Sequence, residues 1–227
     1  MITPVTPSSA TDSPQPPATP WQWGMLFNKF VASLCVGYTV LTFGVITMGT
    51  WGQMYFIEKL GIGTMSAGAI VSVYEIGGFC GATTSGFFAD FLSKSLKNSR
   101  SSPRSYSAVV FTAVVCAASF GLQFLPPTYF ACQVCAFGYG FGMFGTIAMY
   151  GLMVREFVPR EHGGTLSAAL AFAQQVGGFS AGSPLAWYSE SHSIAAGFWI
   201  VTCLLPVAFV FMCLLTVLDG KYKVKEE

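Results

Sequence analysis

Charge is what this chain has least of. Only 9% of its 227 residues are Asp, Glu, Lys or Arg, against about a quarter in ordinary soluble domains. Histidine occurs twice, as His162 and His192, both at the ends of apolar segments. No Ser/His/Asp arrangement, no pair of carboxylates and no metal-spaced cluster is visible, so the chain is read as not an enzyme, with no metal and no cofactor implied. Basic residues form no patch beyond one loop, which argues against nucleic acid as a partner. No basic start followed by an apolar run opens the chain, so a secretory signal peptide is not expected. Cysteines are seven, an odd number, and nearly all lie inside apolar runs. Cys132-Gln-Val-Cys135 has the spacing of a redox or metal pair. It sits in an uncharged segment with no second pair, so both thiols are read as small apolar side chains, and no disulfide framework is expected.

What is present is grease. Hydrophobic residues make up 53% and aromatic residues 15% of the chain, the composition of a protein whose solvent is a lipid bilayer. Uncharged stretches mark the crossings, each of which needs about 20 apolar residues. Phe30–Ile57 carries no charge over 28 residues; its Gly44, Gly49 and Gly52 suggest a bend toward its end. A second span covers Ser66–Phe91. Ser105–Val154 is uncharged for 50 residues, too long for one crossing, and Pro126-Pro127 divides it into spans near Tyr106–Leu125 and Thr128–Met153. Gly164–Tyr188, weakened by Pro184, is the fifth and Ile194–Leu218 the sixth. The expected fold is therefore an all-α membrane protein of six transmembrane helices over residues 21–218. Residues 1–20, rich in Pro, Ser and Thr, are expected to be disordered, and residues 219–227 to form a charged tail.

Placement of the basic residues orients these spans. An even number of crossings puts both chain ends on one side, together with Lys29, Lys94, Lys97, Arg100, Arg104, Arg155, Arg160, Lys221, Lys223 and Lys225; only Lys59 falls opposite. The bias of Lys and Arg toward the cytoplasm makes that side, and both termini, cytoplasmic.

One stretch organises the rest: Ser72-Val-Tyr-Glu-Ile-Gly-Gly-Phe-Cys-Gly81, continuing to Gly86-Phe-Phe-Ala-Asp90. Between Gly61 and Ala89 the only charge is Glu75. A carboxylate within a span costs about 3 kcal/mol on insertion scales and faces a protein interior or a wet cavity. Glu75 is thus the leading pathway candidate, with Tyr74, Tyr38 and Gln53. A structural role, with Glu75 paired to a neighbour, carries equal weight. Thr42, Tyr139, Tyr150, Gln174 and Gln175 are read as helix–helix hydrogen-bonding groups. Gly77-Gly78-Phe79 echoes Gly177-Gly178-Phe179, a faint sign of two related three-helix units.

Gly86-Phe-Phe-Ala-Asp90 with Lys94 resembles the loop signature of the major facilitator superfamily, Gly-x-x-x-Asp followed by basic residues. Phe91 stands where that family usually has Arg. Further segments, Gly37-Tyr38, Thr50-Trp51-Gly52-Gln53, Tyr74–Gly78, Gly145-Thr-Ile-Ala-Met-Tyr-Gly151, Gly164-Thr165 and Val176–Phe179, resemble the organophosphate:phosphate antiporters, and within them the glucose-6-phosphate carriers of the endoplasmic reticulum. The resemblance runs from about Trp21 to Leu218 and is to the C-terminal half alone. It implies half of a twelve-helix transporter, as a fragment or a half-size product. A second six-helix half or a homodimer partner would complete it, in a lipid bilayer, with a phosphorylated sugar and inorganic phosphate as substrates exchanged by alternating access. A non-transporting scaffold or sensor retaining the fold is the other reading. The family carries a basic residue five positions before an Asp-Trp pair; here those positions are Val45 and Thr50. Buried phosphate needs cations or several donors, so either the other half supplies them or the substrate is not an organophosphate. Lys225 and Lys223, third and fifth from the end, resemble a signal for retrieval to the endoplasmic reticulum.

Overall fold

A backbone in lipid finds no water, so an apolar run must bond to itself, and the helix is the one way a single segment can do so. The computed structural model describes residues 29–95, 103–157 and 163–226, with side chains over 31–95, 103–153 and 163–217. The 1–20 segment, Lys97, Arg100, Arg160 and His162 lie outside the described residues. Among the described residues seven helices follow in order: α1 (Lys29–Leu60), α2 (Thr64–Ser95), α3 (Pro103–Phe124), α4 (Tyr129–Phe157), α5 (Gly163–Ala181), α6 (Ser183–Ser191) and α7 (Ile194–Glu226). Five of them, α1, α2, α3, α4 and α7, are long and apolar enough to cross a membrane.

Two expectations need correction. The fifth span is two helices, α5 and α6, parted at Gly182, with Pro184 in the first turn of α6. Proline has no N–H to continue the bonding of α5 but suits a helix start. Gly86 and Asp90 lie in α2, as the Ser66–Phe91 span expects, and Lys94, beyond that span, is helical too; the three sit in the last turns of α2, at spacings of four that put them on one face. The tail beyond Leu218 continues α7 as helix to Glu226. Gly44, Gly49 and Gly52 leave α1 a single helix.

The turns carry their own chemistry. Gly61 ends α1 with φ +64 and its N–H bonded to Ile57 O at 2.9 Å, a left-handed cap that an L side chain resists. Thr128 caps α4, its hydroxyl accepting from Ala131 N at 3.3 Å, and Ser193 does the same for α7 through Ala196 N at 3.1 Å.

Packing shows an exchange rule. The main partner of α2 is α4 and that of α5 is α1; α3 leans on α4 as α7 leans on α1; α3 and α7 touch each other. Swapping α1 with α4, α2 with α5 and α3 with α7 maps this pattern onto itself. The two halves of the bundle are thus internal repeats of three helices. The echoed glycines sit at equivalent contacts. A Cβ on Gly77 would overlap Phe137 O of α4, and one on Gly177 would overlap Thr39 O of α1. At both places a helix backbone lies directly against its neighbour, as small residues permit. α2 and α4 run parallel through this seam: Gly77 meets Phe137, Gly81 meets Phe141, and Gly140 of α4 meets Tyr74.

Candidate functional site

α1 stands between α2 and α5, and contacts on either side fix its depth relative to them. Toward α2, the Gln53 amide lies 3.6 Å from where a Gly68 Cβ would stand and donates to Thr64 O at 3.0 Å. One turn along, Gly52 faces Val71. Tyr74 then reaches Val45 O at 3.4 Å. Toward α5, Thr39 Oγ1 donates to Ala173 O at 3.1 Å, Gly178 faces Ile46, and Trp51 Nε1 donates to Ala181 O at 2.9 Å. The bonds are unequal in strength, but together they set a register.

That register assembles a polar surface on three helices. On α2, residues 68, 72, 75 and 79 form one stripe, since seven residues make about two turns. Gly68 marks the side toward Gln53, so Ser72 and Glu75 follow along the α1–α2 seam. Both are exposed. Glu75 lies 11 residues into α2, about 16 Å along the axis from Thr64, a distance of about half the roughly 30 Å thickness of a hydrocarbon layer. On α1, Ile46, Gly49 and Thr50 are exposed and Gln53 is half-buried. On α5, Gly178 faces Ile46, and Ser167, Ala171 and Gln174 continue its stripe, all exposed. Glu75, near the depth of Val45, and Gln174, about a turn or two away near that of Thr39, therefore flank the exposed face of α1. A carboxylate and an exposed glutamine at this depth are costly against lipid tails.

The four pathway candidates do not share one fate. Glu75 is exposed and Gln53 lies at the seam. Tyr74 is fully buried between α1 and α4, its ring 6.1 Å from that of Tyr139 and 5.9 Å from that of Phe144. Tyr38 is half-buried, its ring 5.5 Å from that of Tyr150 at the α1–α4 crossing. The tyrosines therefore belong to the packing that holds α1 against its neighbours. Tyr139 donates to Gly44 O at 3.2 Å, so two tyrosine hydroxyls bond consecutive carbonyls of α1, at Gly44 and Val45. Tyr150 OH is buried with no hydrogen-bond partner, a desolvation cost of about 1–3 kcal/mol. Asp90 and Lys94 are exposed at the end of α2, far along the helix from Glu75. The side chains of Lys223 and Lys225 lie outside the described residues.

Residues 50, 72 and 174 were not singled out as pathway groups by sequence. Helical spacing could have found them. Ser167 and Gln174 are seven apart, and Thr50–Gln53 and Ser72–Glu75 three apart, so each pair shares a face in an otherwise apolar helix.

A bundle of this kind, made of two exchanged three-helix repeats with a polar mid-depth face, is half of a membrane transporter fold. The chain belongs to the Major Facilitator Superfamily, whose family model matches residues 2–182. It is 27% identical over 196 residues to the membrane sensor protein UhpC of Escherichia coli, a match covering 82% of this chain and 42% of that protein. It is also 28% identical over 168 residues to the "Probable hexose phosphate transport protein" of Chlamydia trachomatis, covering 73% of this chain and 33% of that protein. The chain thus spans less than half the length of these relatives.

Proposed function

We propose that this chain is one half of a hexose-phosphate/phosphate antiporter of the organophosphate:phosphate family. Glucose 6-phosphate is its organic substrate, and it operates as in the endoplasmic-reticulum glucose-6-phosphate translocase. The observation that carries this reading is the polar surface shared by α1, α2 and α5 at mid-depth. A second six-helix body, from another polypeptide region or a second copy, covers that surface, and substrate passes between the two as they rock. Glu75 and Gln53 contact the substrate path, and Tyr38 and Tyr74 hold α1 in place behind it. Gly86, Asp90 and Lys94 brace the cytoplasmic end of α2. Both termini are cytoplasmic, and Lys223 and Lys225 retrieve the protein to the endoplasmic reticulum. No chemistry on the substrate is assigned, only its movement. The similarity to a hexose phosphate transport protein supports the substrate class.

Exchange of labelled phosphate tests it. Proteoliposomes holding the chain and loaded with inorganic phosphate are expected to take up labelled glucose 6-phosphate, and to stop when internal phosphate is omitted. Uptake independent of internal phosphate, or none at all, contradicts the antiport.

One observation favours a second reading, a sensor that binds hexose phosphate without moving it. A match covering 82% of this chain is to a membrane sensor protein, and positions 45 and 50 hold Val and Thr. Saturable binding of glucose 6-phosphate without counterflow would select the sensor.

A further inference from the structure

We infer that this half holds the sugar end of the substrate and leaves the phosphate to its partner, with Glu75 as the acceptor for sugar hydroxyls. The inference rests on the hexose-phosphate reading above. Its ground is the charge and hydrogen-bonding character of the α5–α1–α2 surface. The exposed polar groups there are the Glu75 carboxylate, the Ser72 and Thr50 hydroxyls and the Gln174 amide, with Gln53 at the seam. Among the described residues no lysine or arginine lies beside them. Lys59, the one lysine at the far end of α1, is turned away to Leu122 O and to Tyr55 OH on the opposite side of the bundle. Lys94 and Arg104 lie at the other end, near the α2–α3 connection.

A phosphate brought to this surface would meet a carboxylate of its own sign beside apolar helix walls, where like charges repel more strongly than in bulk water. It would also find no fork of donors to replace its hydration. A sugar ring presents the opposite chemistry. Its hydroxyls donate to a carboxylate, whose two oxygens offer about four acceptor sites. They also exchange bonds with neutral amides and hydroxyls at no charge cost. The surface is therefore matched to a polyhydroxylated ring, with the phosphoryl group directed toward cations of the second half.

The test compares two exchanges, phosphate for phosphate and glucose 6-phosphate for phosphate, in proteoliposomes of the chain assembled with a second half other than a copy of itself, in wild type and Glu75→Gln. Losing charge-assisted bonds to a substrate hydroxyl lowers affinity about tenfold to a hundredfold. KM for glucose 6-phosphate is expected to rise by that factor while KM for phosphate stays within about twofold. Deoxyhexose 6-phosphates that are poor substrates for wild type should be penalised little further by the substitution. A merely structural Glu75 would move both KM values together, and a phosphate-facing Glu75 would lower KM for phosphate on substitution. Either result, or no change in either KM, overturns the inference. Wild type without any exchange removes the transport reading and the subsite with it; exchange with unselective Glu75→Gln removes the subsite alone.

Discussion

Gly81→Ala and Gly140→Ala should each destabilise the protein, although alanine is the better helix former by about 1 kcal/mol. The reason is where the new methyl goes. At Gly81 it would overlap Phe141 O, and at Gly140 it would overlap Tyr74 O. The obstacles are backbone atoms of the facing helix, which cannot swing away as a flexible side chain can. The helices must separate along the whole α2–α4 seam, losing the Cα–H···O approaches that glycine permits and the packing that drives association in lipid. Overpacking costs about 1–3 kcal/mol per site, and the two sites share one seam, so their effects should couple. The double variant is expected not to survive purification as a monodisperse species. Gly151→Ala is the control. It lies on α4, exposed, with open space around its Cα, and should be neutral or stabilising by a few tenths of a kcal/mol to about 1. Thermal unfolding in detergent checks the series; a Gly81→Ala protein as stable as Gly151→Ala would remove the close seam from the account.

Lys59→Met should cost about 1–3 kcal/mol, the value of a hydrogen bond to a charged group. α3 ends at Phe124, which leaves Leu122 O among the carbonyls with no intrahelical partner. Two groups of α1 serve it. Tyr55 OH donates at 3.2 Å, and the Lys59 ammonium donates to it as well as to the tyrosine oxygen at 3.0 Å. A cation at a helix C-terminus is further favoured by the helix dipole. Tyr55 is itself pinned by stacking on Phe198 of α7, centroids 4.1 Å apart. One carbonyl thus joins α1, α3 and α7 at this end. Tyr55→Phe alone should cost about 1 kcal/mol, and the double variant should cost less than the sum, because the Lys59–Tyr55 hydrogen bond is lost in either single variant. Unfolding temperatures of the three variants check it; strict additivity would mean the two donors act independently. The same geometry commits the Lys59 charge to protein.

The helices were legible because composition alone forces them. Runs without charge such as Phe30–Ile57 permit little else in lipid, and the prolines at 126 and 127 mark a break that the structure places between α3 and α4. The α5–α6 break was half legible: Pro184 announced a weakness, but only the structure shows a second helix starting there. The second span was legible as far as Phe91; the helix runs on to Ser95 because nothing between Gly86 and Lys94 stops it. The repeat was legible from Gly177 once Gly77 was noticed, because close backbone approach demands the same residue at equivalent contacts. The face was not. Tyr74 and Glu75 are neighbours in sequence, yet a step of about 100° turns one into the core and leaves the other outside. Which of two adjacent polar residues meets substrate depends on the register of α1 against α2, and that is set by long-range contacts such as Tyr74 to Val45 and Gln53 to Gly68.

The central claim is that the α5–α1–α2 surface borders a watery path and the outer faces of α3 and α7 border lipid. Single cysteines at Thr50, Ser72 and Gln174, and at Val110 and Val210 as outer-face references, can be placed in a version of the chain freed of its native thiols. Reaction with a membrane-impermeant thiol reagent is expected to be fast at the first three and slowed by glucose 6-phosphate, and negligible at the two valine positions. Equal labelling at all five, or protection by substrate at Val110 and Val210 instead, would contradict the account.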